Sequence, residues 1–371
     1  MKQLIPLLVV IVMLLALAGC QSGGDSLRLP STTSPAAAQA PAPPAAPVLA
    51  ATPKNAGPAP VGEMVTPSFK APTVPVIPTR SAQDLTPSVP LPTPLPSLGV
   101  IGGPDDAMPL KRPIGLALAT GGRLYVTDQS GVHEFDADGK FVKTLVKVGS
   151  ETGLRLPSSV AVAPGGDVYI ADTATNTVLR VKPDGQIAAK IGADGAVQLN
   201  QPVAVETDAQ GNLFVVNQAT AEVLKLDPNG KLLLKFGGQG DENGKFIRPR
   251  ALALDKDGNI YVTDLSTFLI QKFSPQGQYL KTFGNQQMRE TLWLLRGMDI
   301  GPDNRLYVAD SANNRIQVFN LADLSLVKEF QNPGREPGQF FESEALRVDD
   351  QGTVYLVDKG NNRVQKLKLP F

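Results

Sequence analysis

Between residues 98 and 371 the chain is written in short apolar runs, each stopped by Gly, Pro, Asn or Asp. One run recurs six times. The copies are Leu124-Tyr125-Val126-Thr127-Asp128, Val168-Tyr169-Ile170-Ala171-Asp172 and Leu213-Phe214-Val215-Val216-Asn217, then Ile260-Tyr261-Val262-Thr263-Asp264, Leu306-Tyr307-Val308-Ala309-Asp310 and Val354-Tyr355-Leu356-Val357-Asp358. Their last residues follow one another at steps of 44 to 48 residues. Such a period marks one supersecondary unit copied in series, each copy too small to bury its own apolar face.

The fourth copy shows the unit most clearly. Residues 250–255 read as a strand and Lys256-Asp257-Gly258-Asn259 as a hairpin turn. Residues 260–264, 270–273 and 279–283 follow as three more strands, the last two separated by Pro275-Gln276-Gly277-Gln278. Four short antiparallel strands make one propeller blade, so the pattern predicts an all-β fold, a six-bladed β-propeller. The last unit holds only three strands, at 345–349, 353–358 and 363–367. Residues 98–102 (Leu98-Gly99-Val100-Ile101-Gly102) resemble the outer-strand text Leu233-Leu234-Lys235-Phe236-Gly237, and are expected to close the ring as the outer strand of the sixth blade.

The first 97 residues follow different rules. Met1-Lys2 and an apolar run from Leu4 to Leu17 have the length of an export signal, short for a membrane span. From Gln21 to Ser97 stand 18 of the 33 prolines with a single aromatic, Phe69. That composition favours an extended spacer, with a reach on the order of 100–200 Å. The expected division is a signal over 1–19, a Pro-rich linker over 20–96 and the propeller over 97–371.

Composition narrows the chemistry. The 35 Lys and Arg balance 35 Asp and Glu, so no basic footprint points to nucleic acid. One Cys and one His leave no internal disulfide, no Cys-rich or multi-His metal site and no pair of His acid–base catalysts. No cofactor is expected.

Two resemblances carry more. Leu17-Ala18-Gly19-Cys20 resembles the bacterial lipoprotein signal, which implies that Cys20 is acylated and anchors the chain to a membrane on its extracytoplasmic side. The address implied is the outer membrane or the outer face of the plasma membrane. Gly334-Arg335-Glu336-Pro337-Gly338-Gln339-Phe340, the Leu-Tyr-Val-Ala-Asp strand and Asn313-Asn314-Arg315-Ile316-Gln317-Val318-Phe319 closely resemble the NHL repeat. Asn361-Asn362-Arg363-Val364-Gln365 repeats the last piece. The Gly-His and Trp-Asp pairs of WD40 propellers are absent. Blades one and three depart most, with Gln129-Ser130-Gly131-Val132 and Asn217 in place of the usual text. The resemblance implies that Asp128, Asp172, Asp264, Asp310 and Asp358 are scaffold, bracing the turn between second and third strands.

Function is sought where the repeats disagree. Aligning the innermost strands puts Ile114, Ser158, Val203, Arg250, Arg296 and Glu344 in one column. Three places further in stand Ala117, Ala161, Glu206, Ala253, Asp299 and Arg347. The charged members form either a site able to hold a carboxylate, phosphate or acidic side chain, or mere pairs, Asp299 with Arg347 and Arg296 with Glu344. Trp293, in the text before blade five, is either an interface anchor or a plug between blades. Asp136-Ala137-Asp138-Gly139 and Asp255-Lys256-Asp257-Gly258 read as hairpin turns rather than calcium loops. His133 has no second His to help it and reads as a surface or packed residue.

The expected protein is a monomeric, lipid-anchored propeller that binds a protein, peptide or envelope component at its channel mouth, without chemistry of its own. The alternative is an enzyme, since some NHL-like and other six-bladed propellers are lyases or lactonases.

Overall fold

The computed structural model describes residues 93–193, 195–283, 294–323 and 325–371. The expected signal, Cys20, most of the Pro-rich stretch and Trp293 lie outside the described residues. Among the described residues, six four-stranded antiparallel sheets form six blades around a central channel. The inner strands are Gly115–Leu118, Pro157–Val162, Pro202–Thr207, Pro249–Leu254, Leu295–Ile300 and Ser343–Val348. The fourth ends at Leu254, not Asp255, because the Asp255 carboxylate is drawn into the turn, where it accepts the amides of Asp257 and Asn259.

The repeated phrase is apolar throughout because both of its faces are buried. Side chains alternate across a strand. In blade one, Leu124 and Val126 pack toward blade six while Tyr125 packs toward blade two. The same alternation recurs around the ring, giving six apolar clusters, one at each blade boundary. Each buried aliphatic or aromatic side chain contributes ~1.5–3 kcal/mol. No blade holds a core of its own.

The sixth sheet takes its outer strand from Ser97–Ile101, which pairs antiparallel with Arg363–Lys368. The ladder runs from Ser97 opposite Leu367 to Ile101 opposite Val364. Just upstream, Leu95 is buried between blades five and six among Tyr307, Phe330, Phe340 and Leu367. Its amide donates to the Gly338 carbonyl, and a side chain at Gly338, whose φ is +84°, would strike the Leu95 backbone. The Thr93 carbonyl accepts from the Asn332 side-chain amide. We call the channel end beside the strand-end Asp residues the upper face. Asn332 follows the upper end of its strand, so the chain enters the described fold at the upper rim.

Candidate functional site

The strand-end carboxylates hold up the upper face. Asp128 accepts the amides of Lys111, Ser130 and Gly131, and Asp264 those of Ile247, Arg248, Ser266 and Thr267. Asp358 binds the Phe341 amide, Asn361 and Arg363. One carboxylate thus ties the turn after the second strand to the connection that arrives from the preceding blade. Asn217 does the same in blade three without the charge, its side-chain oxygen accepting the Asn200 amide and its side-chain nitrogen donating to the Thr220 hydroxyl.

That scaffold presents the first column at the upper mouth. Glu344 is 3% exposed and is met by three cations. Arg250 Nη2 lies 2.7 Å and Arg296 Nη1 2.8 Å from its Oε1, and Lys359 Nζ lies 3.0 Å from its Oε2. Burial opposes ionisation of Glu344, but the charges of Arg250, Arg296 and Lys359 outweigh it and hold the carboxyl below its usual range. Among the described residues, two positive charges remain uncompensated in this cluster. A cavity of about 380 Å³ opens beside it, lined in part by Arg112, Arg296, Phe341, Glu342 and Lys359. Arg250 also donates to the Val203 carbonyl, while Arg296 engages Glu344 through one nitrogen only.

Lys359 escaped the column alignment because it sits just after the second strand, in the short 3-10 turn Lys359–Asn361. The same logic of departure finds it. The equivalent residues are Gln129, Thr173, Gln218, Leu265 and Ser311, so Lys359 is the one charged member. Thr173 and Gln218 already reach the neighbouring inner strand from this position, bonding the Pro202 and Pro249 carbonyls.

Below the mouth the channel closes. A void of about 40 Å³ remains between inner strands packed on small residues. A Cβ added at Gly297 would fall 2.6 Å from the Ala345 Cα. There is room for ~3 waters at most.

The second column therefore belongs to a different, lower mouth. Arg347 does not pair with Asp299. It reaches across the ring to Glu206, Nη2 to Oε2 2.8 Å, and also donates to the Met298 and Leu346 carbonyls. The crossing is possible because Ala117, Ala161 and Ala253 occupy the other three positions of the column and leave room for the Arg347 side chain. Asp299 accepts the Val348 amide at 2.8 Å instead. Burial pushes its carboxyl up to about 6, with Arg347 opposing and Glu206 adding to the shift. A cavity of about 460 Å³ opens over these three residues. The charges read as one channel site thus form two clusters at opposite ends of a blocked channel.

His133 is packed, on the third strand of blade one, 1% exposed. Its Nε2 lies 2.9 Å from Asp128 Oδ1 and its Nδ1 3.1 Å from the Thr144 hydroxyl. Gln271, Gln317 and Gln365 hold this register position in blades four to six, and Gln365 likewise reaches its strand-end Asp358. Asp136 and Asp255 serve their turns. Among the described residues no group of three or more His, Cys, Asp or Glu side chains is placed to hold a metal ion. No helix among them is long and apolar enough to cross a membrane.

The NHL repeat model matches residues 154–180, 246–273 and 292–319. No curated protein matches the sequence directly. Among solved structures, a virginiamycin B lyase from Staphylococcus aureus is 14% identical with a TM-score of 0.52, covering 70% of this chain and 95% of that one. A gluconolactonase from Xanthomonas campestris is 16% identical with a TM-score of 0.56, covering 76% of this chain and 99% of that one. At that identity the likeness is one of fold. The chain is a six-bladed β-propeller that carries NHL repeats at residues 154–180, 246–273 and 292–319.

Proposed function

We propose that this chain is a lipid-anchored binding module of the cell envelope, which holds a protein or peptide partner at the upper mouth of its propeller. The observation that carries the reading is the Glu344 cluster, where three cations surround one carboxylate at the edge of an open cavity. A pair built only for stability needs one cation. Three leave a surplus that favours an acidic group from outside. Both Glu344 oxygens are engaged, so the carboxylate is not free to serve as a base. That argues for binding rather than catalysis at this mouth.

The anchor belongs to the same proposal. Cys20 would carry the lipid, and the Pro-rich stretch would space the propeller from the membrane. Thr93 enters at the upper rim, on the side of the cationic mouth.

The test is cross-linking of the intact chain in its own membrane, followed by isolation through the chain. The control is the double variant Arg296→Gln, Lys359→Gln, which leaves Arg250 to balance Glu344 and removes only the surplus. Cross-linked species present with the natural chain and lost with the variant support the reading. An unchanged set of species overturns it.

A further inference from the structure

We propose that the lower mouth is a second binding site, separate from the upper one, for a small cation: a primary ammonium or guanidinium group on a short chain. Three observations converge on it. The first is space. The cavity of about 460 Å³ is of the size that holds small ligands, and Ala117, one of the three alanines of the column, lines it. The closed channel above it keeps it distinct from the Glu344 cluster.

The second is charge. The carboxyls lining the cavity are Glu206, Asp299, Asp349 and Asp350, and the one basic side chain lining it is Arg347. Arg347 is matched by Glu206. Asp349 is occupied by the Gln351 and Thr353 amides of its turn, and Asp350 stands exposed at the rim. Asp299 stands in the floor with a backbone partner and, among the described residues, no salt bridge of its own, although the charge of Arg347 reaches it.

The third is how the floor is framed. Blade four contributes only Leu254 to the lining, and Val162, Leu118 and Tyr355 form apolar wall around the polar floor. On the second strand of its own blade, the Tyr307 hydroxyl is turned away to Asp303. An alkyl chain lying along that wall brings an ammonium to the Asp299 carboxylate. An anion would meet a surplus of carboxylates, and a neutral polyol would leave that surplus uncompensated.

The groups facing Asp299 are Glu206 from blade three and Arg347, Asp349 and Asp350 from blade six, so a cation binds the ionised form. Burial raises the Asp299 carboxyl to about 6, so binding of a cation requires loss of its proton and strengthens as pH rises past that value.

The test is calorimetric titration of the full chain in detergent with putrescine, and with 1,4-butanediol as its uncharged counterpart. Agmatine serves as the guanidinium arm. The proposal expects saturable binding of putrescine or agmatine at pH 7.5, weaker by about tenfold at pH 5, and none of butanediol. Asp299→Asn should lose binding by about tenfold or more. Absence of saturable binding by either amine at pH 7.5, equal binding of butanediol, or affinity unchanged between the two pH values overturns it. The butanediol and pH comparisons use the natural chain and so decide the matter even where the variant fails to fold.

Discussion

Glu206 and Arg347 lie 141 residues apart, on the inner strands of blades three and six, and their side chains meet across the channel at 2.8 Å. The contact joins opposite sides of the ring, whereas the apolar clusters join only neighbouring blades. It closes the channel from below and divides the charged inner-strand residues into two groups.

Removing one partner leaves a half-buried charge without its counterpart. Glu206→Gln or Arg347→Met alone should cost ~1–3 kcal/mol, less than a fully buried pair because both side chains keep some water contact. The double variant should lose less than the sum of the two. Chemical denaturation of the four proteins gives the coupling, and strict additivity would show that the bridge carries none.

Leu95 fills the groove between blades five and six, and Gly338 is shaped to receive it. Leu95→Ala should cost ~2–4 kcal/mol. Gly338→Val should cost at least as much, through backbone strain and collision with the Leu95 backbone together. Deleting residues 93–101 removes this plug and the outer strand of blade six, and should lower the melting temperature sharply. A deletion that melts like the natural chain would deny that segment a role in closing the ring.

His133 stands where later blades carry Gln, against Asp128. His133→Gln should stay within ~1 kcal/mol of the natural chain, while His133→Leu should cost ~1–3 kcal/mol. Burial opposes ionisation of Asp128, but His133, Ser130 and the Lys111 amide together bring its carboxyl below the ordinary range. The folded value lies below the unfolded ~3.9, so the folded state holds fewer protons there. The stabilisation is complete above the unfolded value and is lost as acid titrates through the lower folded one. A stability curve flat across pH 2–4 at this site, measured as the difference from His133→Leu, would contradict the pairing.

Asp299 carries the opposite sign. Its folded value of about 6 lies above the unfolded ~3.9, so the folded state keeps the proton longer. Its contribution is best below the unfolded value and declines as pH rises through about 6. Asp299→Asn should therefore melt higher than the natural chain at pH 7.5 and no higher at pH 4. A variant that melts lower at pH 7.5 would mean that the carboxylate is stabilised where it stands.

Blade count and strand phase were legible because Leu124, Tyr125 and Val126 and their copies repeat with a strict alternation, and five of the six copies end on Asp, the other on Asn217. The charged columns were legible for the same reason: once the repeats are in phase, Arg250, Arg296 and Glu344 stand out against small and apolar neighbours. Their partners were legible only in part: Arg296 meets Glu344 as the pairing of adjacent blades implies, while Arg347 does not meet Asp299. Whether Arg347 turns to the adjacent Asp299 or crosses to Glu206 depends on the width of the closed ring and on three alanines elsewhere in it. Lys359 was legible in principle, as the charged member of its own repeat position, but it lies beyond the strand and outside the column. His133 gave no signal beyond being alone, because its partner is fixed by the register between two strands of blade one.

The central claim is that the upper mouth receives a partner. It is tested most directly with a photoreactive residue placed at Glu342, on the rim of the upper cavity, and in a second protein at Leu280, on an exposed outer strand. Both are measured as the intact chain on its own membrane. The account predicts discrete cross-linked species from position 342 and none from 280, and their disappearance when Arg296→Gln and Lys359→Gln are added. Discrete species from 280 alone, or species from 342 that survive the loss of both cations, would contradict it.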